Sequence, residues 1–131
     1  MKFHEVVGRA LVEQGLTTAF GVIGDANLFM MDSFERVAGG TYVAMANEAG
    51  AVMAATGYAS VTGTPGLATV THGPGLTNTV TALVEAARSR TPLLLVAGDT
   101  PVADGEHLQD VAQREVVLAT GAAFVRVRDP Q

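Results

Sequence analysis

The chain contains no cysteine, which excludes a disulfide framework and thiolate metal sites and agrees with the cytoplasmic location expected of it. Charge is scarce as well. Only 16% of the 131 residues are charged, against about a quarter in an ordinary soluble domain. The eight Lys and Arg are scattered and the net charge is −5, so no basic stripe is present to meet a nucleic acid. No apolar run reaches the roughly 20 residues that a membrane-spanning helix needs. The N-terminal MKFHEVVGRALVEQG mixes charges into its apolar positions and so lacks the core of a signal peptide. Neither nucleic acid nor membrane is an expected partner.

The shortage of charge is concentrated in one place. Glu48 is followed by no Asp, Glu, Lys or Arg until Glu85, a gap of 36 positions. A solvated face of that length would carry several charges, so the gap is expected to be buried, in the core or against another chain. With 48% hydrophobic residues and this length, the chain has one core and one domain, residues 1–131.

What is present alternates. Phe3, Val6, Val7, Ala10 and Leu11 recur at helical spacing, with Glu5–Arg9 and Arg9–Glu13 as i,i+4 pairs and Gly15 as the stop. Apolar runs at 19–23, 41–46, 67–71, 93–97 and 123–127 read as strands. Between them lie helical patterns: one carrying Leu28, Met31, Phe34 and Val37, with Asp25 placed to cap it, and others at about 48–60, 79–89 and 108–120. In the last, Val111, Val116 and Leu118 are expected inward. Continuous apolar strands alternating with helices predict an α/β fold, a doubly wound parallel sheet with helices on both faces.

Ligands of such sheets sit beyond the carboxyl ends of the strands. Asp25, Glu48, His72 with the loop Gly73–Asn78, and Asp99 follow successive strands, which gathers three carboxylates and an imidazole on one edge. Each has a plainer reading. Glu48 suits the first turn of a helix, Asp25 a helix cap, and His72 a core histidine with a hydrogen-bond partner. The Gly73-Pro74-Gly75 turn brings bare backbone close to whatever lies against it. Gly21 and Gly24 lack the spacing of a dinucleotide fingerprint, and Asp25 in the loop after the first strand would repel the phosphate of a flavodoxin-like ligand. His4 and Glu85 read as surface residues, Glu85 paired with Arg88.

In order, GVIGDANLFMMD, NEAGAVMAATGYA and GLATVTHGPGLTNTVTALVEAARSRTPLLLVAGDTP resemble the N-terminal, pyrimidine-binding domain of thiamine diphosphate enzymes of the acetolactate synthase, pyruvate decarboxylase and benzoylformate decarboxylase type. The resemblance implies that Glu48 hydrogen-bonds N1′ of the cofactor's aminopyrimidine and favours the tautomer whose 4′-nitrogen takes the C2 proton. It also implies that Ile23 and Gly24 face the cofactor, and that His72, Gly73, Pro74, Gly75 and Asn78 pack near the pyrimidine. Asp25 resembles the turn acid of the decarboxylases, and His72 resembles the imidazole acid/base of benzoylformate decarboxylase, so both join Glu48 as candidate catalytic residues. HLQD at 107–110 is closer to the synthase pattern.

The resemblance also implies what other chains or domains supply. The diphosphate and its Mg2+ belong to a second domain with a GDG motif and an Asn pair, neither of which occurs here, so no metal ligand is assigned. A final helix and strand would follow Gln131, which makes the domain C-terminally incomplete, a fragment or a separately encoded half. The implied function is half of a thiamine diphosphate-dependent 2-oxo acid decarboxylase or carboligase. It would work across a subunit interface with a diphosphate-binding domain or subunit, as a homodimer or higher. The alternative is a non-catalytic dimerisation module of the same fold.

Overall fold

Four short apolar runs hydrogen-bond into one parallel sheet in the order β2-β1-β3-β4: β1 (Thr18–Gly21), β2 (Thr41–Ala44), β3 (Gly66–Val70) and β4 (Leu93–Ala97). The computed structural model describes residues 1–101, 103–104 and 106–128. Its helices are α1 (Phe3–Glu13), α2 (Leu28–Arg36), α3 (Glu48–Thr62), α4 (Pro74–Thr77), α5 (Val80–Arg88) and α6 (Gln113–Ala119). The expected doubly wound α/β architecture is therefore present. From β1 the chain passes outward to β2 on one side, and later to β3 and β4 on the other. The direction of winding reverses between β1 and β3, the position where such sheets open a crevice.

Strand periodicity sends alternate side chains to opposite faces, and the two faces have different covers. Ala19 and Leu67 join Leu11, Met31 and Phe34 of α1 and α2 on one side. Phe20 and Ala68 join Val52, Ala55 and Ala82 of α3 and α5 on the other. Every residue of β3 is buried. Part of the charge-free gap goes into the core, with β3 and the inner positions Ala51, Val52, Ala55 and Ala59 of α3, while 60–65 lie exposed. On its outer side α3 leaves Met53 and Val61 in solvent.

α3 begins at Asn47, whose side-chain carbonyl accepts from the Gly50 N–H at 2.7 Å, and ends at Gly63 in the left-handed region. Its middle lies so close to the start of β3 that a Cβ on Gly66 would overlap the Ala55 carbonyl. In α1 the expected stripe is rotated. Val7, Gly8 and Leu11 turn inward while Phe3 and Val6 are exposed, because α1 meets the α2 backbone at Gly8, where a Cβ would come within 3.0 Å of the Phe34 nitrogen. His4 is correspondingly half-buried, its Nδ1 2.9 Å from the Ser33 hydroxyl, and is not the surface residue expected. The i,i+4 pairs of α1 and the Glu85–Arg88 pair do not occur among the ion pairs of the described residues.

Three further expectations are corrected. Asp25 does not cap α2: the residue at the cap position is Asn27, and Asp25 is engaged by Thr71 instead. The last helix starts at Gln113, five residues later than its pattern suggested, and it buries Gln113 and Val117 while Leu118 faces outward. Among the described residues no fifth strand forms at 123–127. Ala122 and Phe124 pack on a cluster with Val70, Leu76, Leu83 and Val117, and Arg126 pairs with Asp99 at 3.0 Å. That leaves Val125 and Val127 in solvent, so these two contacts replace a ladder along β4. The polar loop 98–105 includes Val102 and Gly105, which lie outside the described residues.

Two glycine substitutions separate close packing from helix propensity. Gly66→Ala is expected to destabilise the fold by about 1–3 kcal/mol, because the obstructing atom is backbone and cannot step aside. Gly57→Ala in α3, where a Cβ meets nothing within 4 Å, is expected to stabilise it by about 0.5–1 kcal/mol. Urea midpoints of the two variants, compared with the unaltered chain, check both signs.

Candidate functional site

Parallel pairing carries the ends of all four strands to one edge of the sheet, and the loops that leave it hold nearly every residue singled out from the sequence. The centre of this edge is the reversal between β1 and β3. There Asn27, only 1% exposed, ties the turn after β1: its carbonyl accepts from Gly24 N–H at 2.8 Å, and its amide donates to the Val22 carbonyl and the Thr69 hydroxyl, each at 3.1 Å. All of its polar capacity toward the backbone is used, as a buried amide requires. The turn is thus held rigidly, with Asp25 at its outer rim.

Thr71, the first residue past β3, joins the two loops. Its hydroxyl donates to Asp25 Oδ1 at 2.9 Å and accepts from Ala26 N–H at 3.3 Å. Gly24 and Gly75 leave the space it occupies, since a Cβ on either would come within 3.0 Å of Thr71. The Thr71 hydrogen bond, helped by the His72 imidazole and the backbone N–H groups of Ala26 and Asp25, holds the Asp25 carboxyl below the usual carboxylate range. Partial desolvation opposes the shift.

His72 is 3% exposed. Its Nδ1 lies 3.4 Å from the Thr71 hydroxyl oxygen and 3.8 Å from Asp25 Oδ1. His72 Nε2 is buried with no hydrogen-bond partner among the described residues. The ring of His107 stands 5.0 Å away, centre to centre. Together with Ala26, Asp99, Pro101 and Asp104, the residues Asp25, His72 and His107 line an open cavity of about 240 Å³.

Glu48 lies elsewhere on the same edge. At the first turn of α3 it is half-buried, with Oε2 accepting from the Asn78 amide at 3.2 Å. Asn47, Glu48, Ala49 and Asn78 line a second depression, about 320 Å³ and open to solvent. Oε1 of Glu48 has no protein donor among the described residues. The sequence candidates are therefore divided: Asp25 and His72 on one depression, Glu48 and Asn78 on the other. Ile23 is 38% exposed at the rim of the β1 turn. Pro74 is exposed, while Gly73 and Gly75 are buried. Where the missing side chains leave room, the neighbours are protein: the Gln109 backbone at Gly73 and Thr71 at Gly75.

Three residues of this edge escaped the sequence reading. Asn27 is visible within GDANL only as one more polar residue. Thr71 looks like the last residue of an apolar strand. Gln113, 5% exposed, accepts from Gly73 N–H at 2.9 Å and donates to the Gly98 carbonyl at 3.0 Å and Asp99 Oδ1 at 3.3 Å. A glutamine in the first turn of a helix gives no signal that it spans two loops.

A parallel α/β domain with its unspent polar groups collected at the carboxyl edge belongs to the class that binds a ligand against that edge. The particular family follows from comparison. Residues 1–120 match the family model described as thiamine pyrophosphate enzyme, N-terminal TPP binding domain, and the chain belongs to this family. It is similar to the acetolactate synthase isozyme 3 large subunit of Escherichia coli (strain K12), 38% identical over 94 residues that cover 72% of this chain and 16% of that protein. It is also similar to sulfoacetaldehyde acetyltransferase of Roseovarius nubinhibens, 36% identical over 135 aligned positions covering 99% of this chain and 22% of that protein. Chloroplastic acetolactate synthase of Arabidopsis thaliana is 35% identical over 100 residues, 76% of this chain and 15% of that one. The chain thus spans less than a quarter of the length of each of these relatives.

Removing the hydroxyl that holds Asp25 tests the electrostatics of the β1–β3 crevice. Thr71→Val is expected to raise the titration midpoint of Asp25 toward the ordinary carboxylate value, as followed by carbon NMR of the Asp carboxyls. The sign follows from the shift: a carboxyl depressed in the folded state stabilises the fold above its unfolded pKa, and that contribution is lost as pH falls. The variant should accordingly lose less stability on acidification. A midpoint that does not move would remove Thr71 as the cause.

Proposed function

We propose that this chain is the pyrimidine-binding half of a thiamine diphosphate-dependent enzyme that acts on a 2-oxo acid, as a carboligase or a decarboxylase. The diphosphate and its Mg2+ would be held by a second domain or subunit, and the site would be completed across the interface of a homodimer or higher oligomer. Family membership supports the cofactor. The names of the relatives, acetolactate synthase and sulfoacetaldehyde acetyltransferase, favour bond formation or acyl transfer over simple decarboxylation.

The observation that carries this reading is the state of Glu48. One of its oxygens is fixed by Asn78, the other has no protein donor among the described residues, and both residues border an open depression. Such a carboxyl group fits a ring nitrogen that it can share a proton with. The depression is a shallow one walled by only four residues, which suits a ligand covered on its far side by another domain. When bound, thiamine diphosphate supplies the electron sink for cleaving or forming a bond at the carbonyl carbon of a 2-oxo acid.

This chain's own contribution is to hold and move protons. Glu48 would hold the proton at N1′ of the aminopyrimidine, with the Asn78 amide keeping the carboxyl group in one orientation. Asn78 is thus a positioning residue. Ile23, Gly24 and the loop 72–78 would form the remaining wall. Asp25 and His72 would exchange protons with the substrate: Asp25 stays ionised through its bond from Thr71, and His72 offers the unpartnered Nε2.

In the assembled enzyme, Glu48→Gln is expected to slow exchange of the thiamine C2 proton roughly 10²–10⁴-fold, the usual scale of a lost general acid/base group. Proton NMR of quenched samples in deuterium oxide measures it. Exchange at the unaltered rate would remove Glu48 from the chemistry. Absence of thiamine diphosphate binding by the unaltered assembly would instead favour the reading of this fold as a dimerisation module.

A further inference from the structure

A second feature of the edge does not need thiamine diphosphate at all. One carboxylate oxygen of Asp25 and one nitrogen from each of His72 and His107 lie within 4.8 Å of one another. Adjacent ligand atoms of a tetrahedral zinc site with bonds of about 2.0–2.1 Å are roughly 3.3 Å apart, so the three groups are gathered near a common point and must draw together to share one ion. Independently, His72 Nε2 is buried without a hydrogen-bond partner among the described residues. A buried ring nitrogen left unpaired carries a desolvation penalty, and in the tautomer that leaves its lone pair free a cation would relieve it.

We propose that Asp25, His72 and His107 form a binding site for a divalent transition-metal ion of the Zn2+, Co2+ or Ni2+ class. Two imidazoles and one carboxylate are the donors such borderline cations favour, whereas Mg2+ takes oxygen ligands and water. Asp99 and Asp104 line the same cavity and add negative charge around it. Arg126 faces the site from the C-terminal segment, where its Nε pairs with Asp99 Oδ2 at 3.0 Å, so part of that charge is already balanced. His107 has one competing obligation: its Nδ1 accepts from the Gln109 N–H at 3.1 Å. Coordination requires that bond to break or the ring to turn, which marks Gln109 as a reporter.

The site uses two residues that the proposed function assigns to proton transfer, yet it stands on this chain's own side chains, and metal binding is read without any cofactor or substrate. The experiment is a titration of the full chain with Co2+. The expected result is the visible absorption of four- or five-coordinate cobalt, saturating at one equivalent, lost on addition of Zn2+ and unaffected by millimolar Mg2+. Zn2+ should also shift the Gln109 amide resonance. His107→Gln, His72→Gln and Asp25→Asn should each weaken Co2+ binding at least about tenfold, while Asp32→Asn, on the exposed side of α2, should leave it unchanged. If His72→Gln does not fold, the His107 and Asp25 variants decide the matter. No cobalt absorption above that of the free ion, or His107→Gln binding as tightly as the unaltered chain, would overturn the proposal. Either outcome is independent of whether Glu48 activates thiamine diphosphate.

Discussion

The whole molecule leans on the burial of β3 from both sides. All five of its residues are inaccessible to solvent, it bonds to β1 along one edge and β4 along the other, and α3 presses on its start closely enough to demand Gly66. A strand in that position can carry no polar side chain except one that is matched, and Thr69 is matched by the Asn27 amide. Polarity therefore returns only where the strand leaves the sheet. Thr71 and His72 are the first residues free of the constraint, and they emerge opposite the turn from β1. The crevice owes its composition to that exit point.

The fold was legible from the sequence because its determinants are local and repetitive. Four of the five expected strands pair where their apolar runs lie, and α3 begins at Glu48, where its helical pattern was expected to start. The misreadings have a common cause. A strand needs its backbone beside a partner, and the segment after α6 is held instead by Ala122 and Phe124 on the cluster of Val70, Leu83 and Val117 and by Arg126 on Asp99. The face of α1 depended on Gly8, whose role is set by the α2 backbone at Phe34, far along the chain. Periodicity records which residues are apolar; it does not record what stands opposite them.

The site was legible to the level of its loops and no further. That Asp25, Glu48 and His72 follow strands was enough to gather them on one edge. Their division into two depressions was not visible, since it depends on the strand order β2-β1-β3-β4, which sets Glu48 to one side of the reversal and Asp25 and His72 within it. His107 lay in a stretch without periodicity, and only the folded chain brings its ring beside His72. Thr71, Asn27 and Gln113 went unnoticed because their value lies in partners far away in sequence.

Gln113 joins the loop after β3, through Gly73, to the loop after β4, through Gly98 and Asp99. A side chain that holds two loops at once makes them a single mechanical part. Asp99 at one depression and the loop that leads to Asn78 at the other are therefore anchored to the same amide group. The two depressions, separate in what lines them, share one anchor on α6, a helix that lines neither.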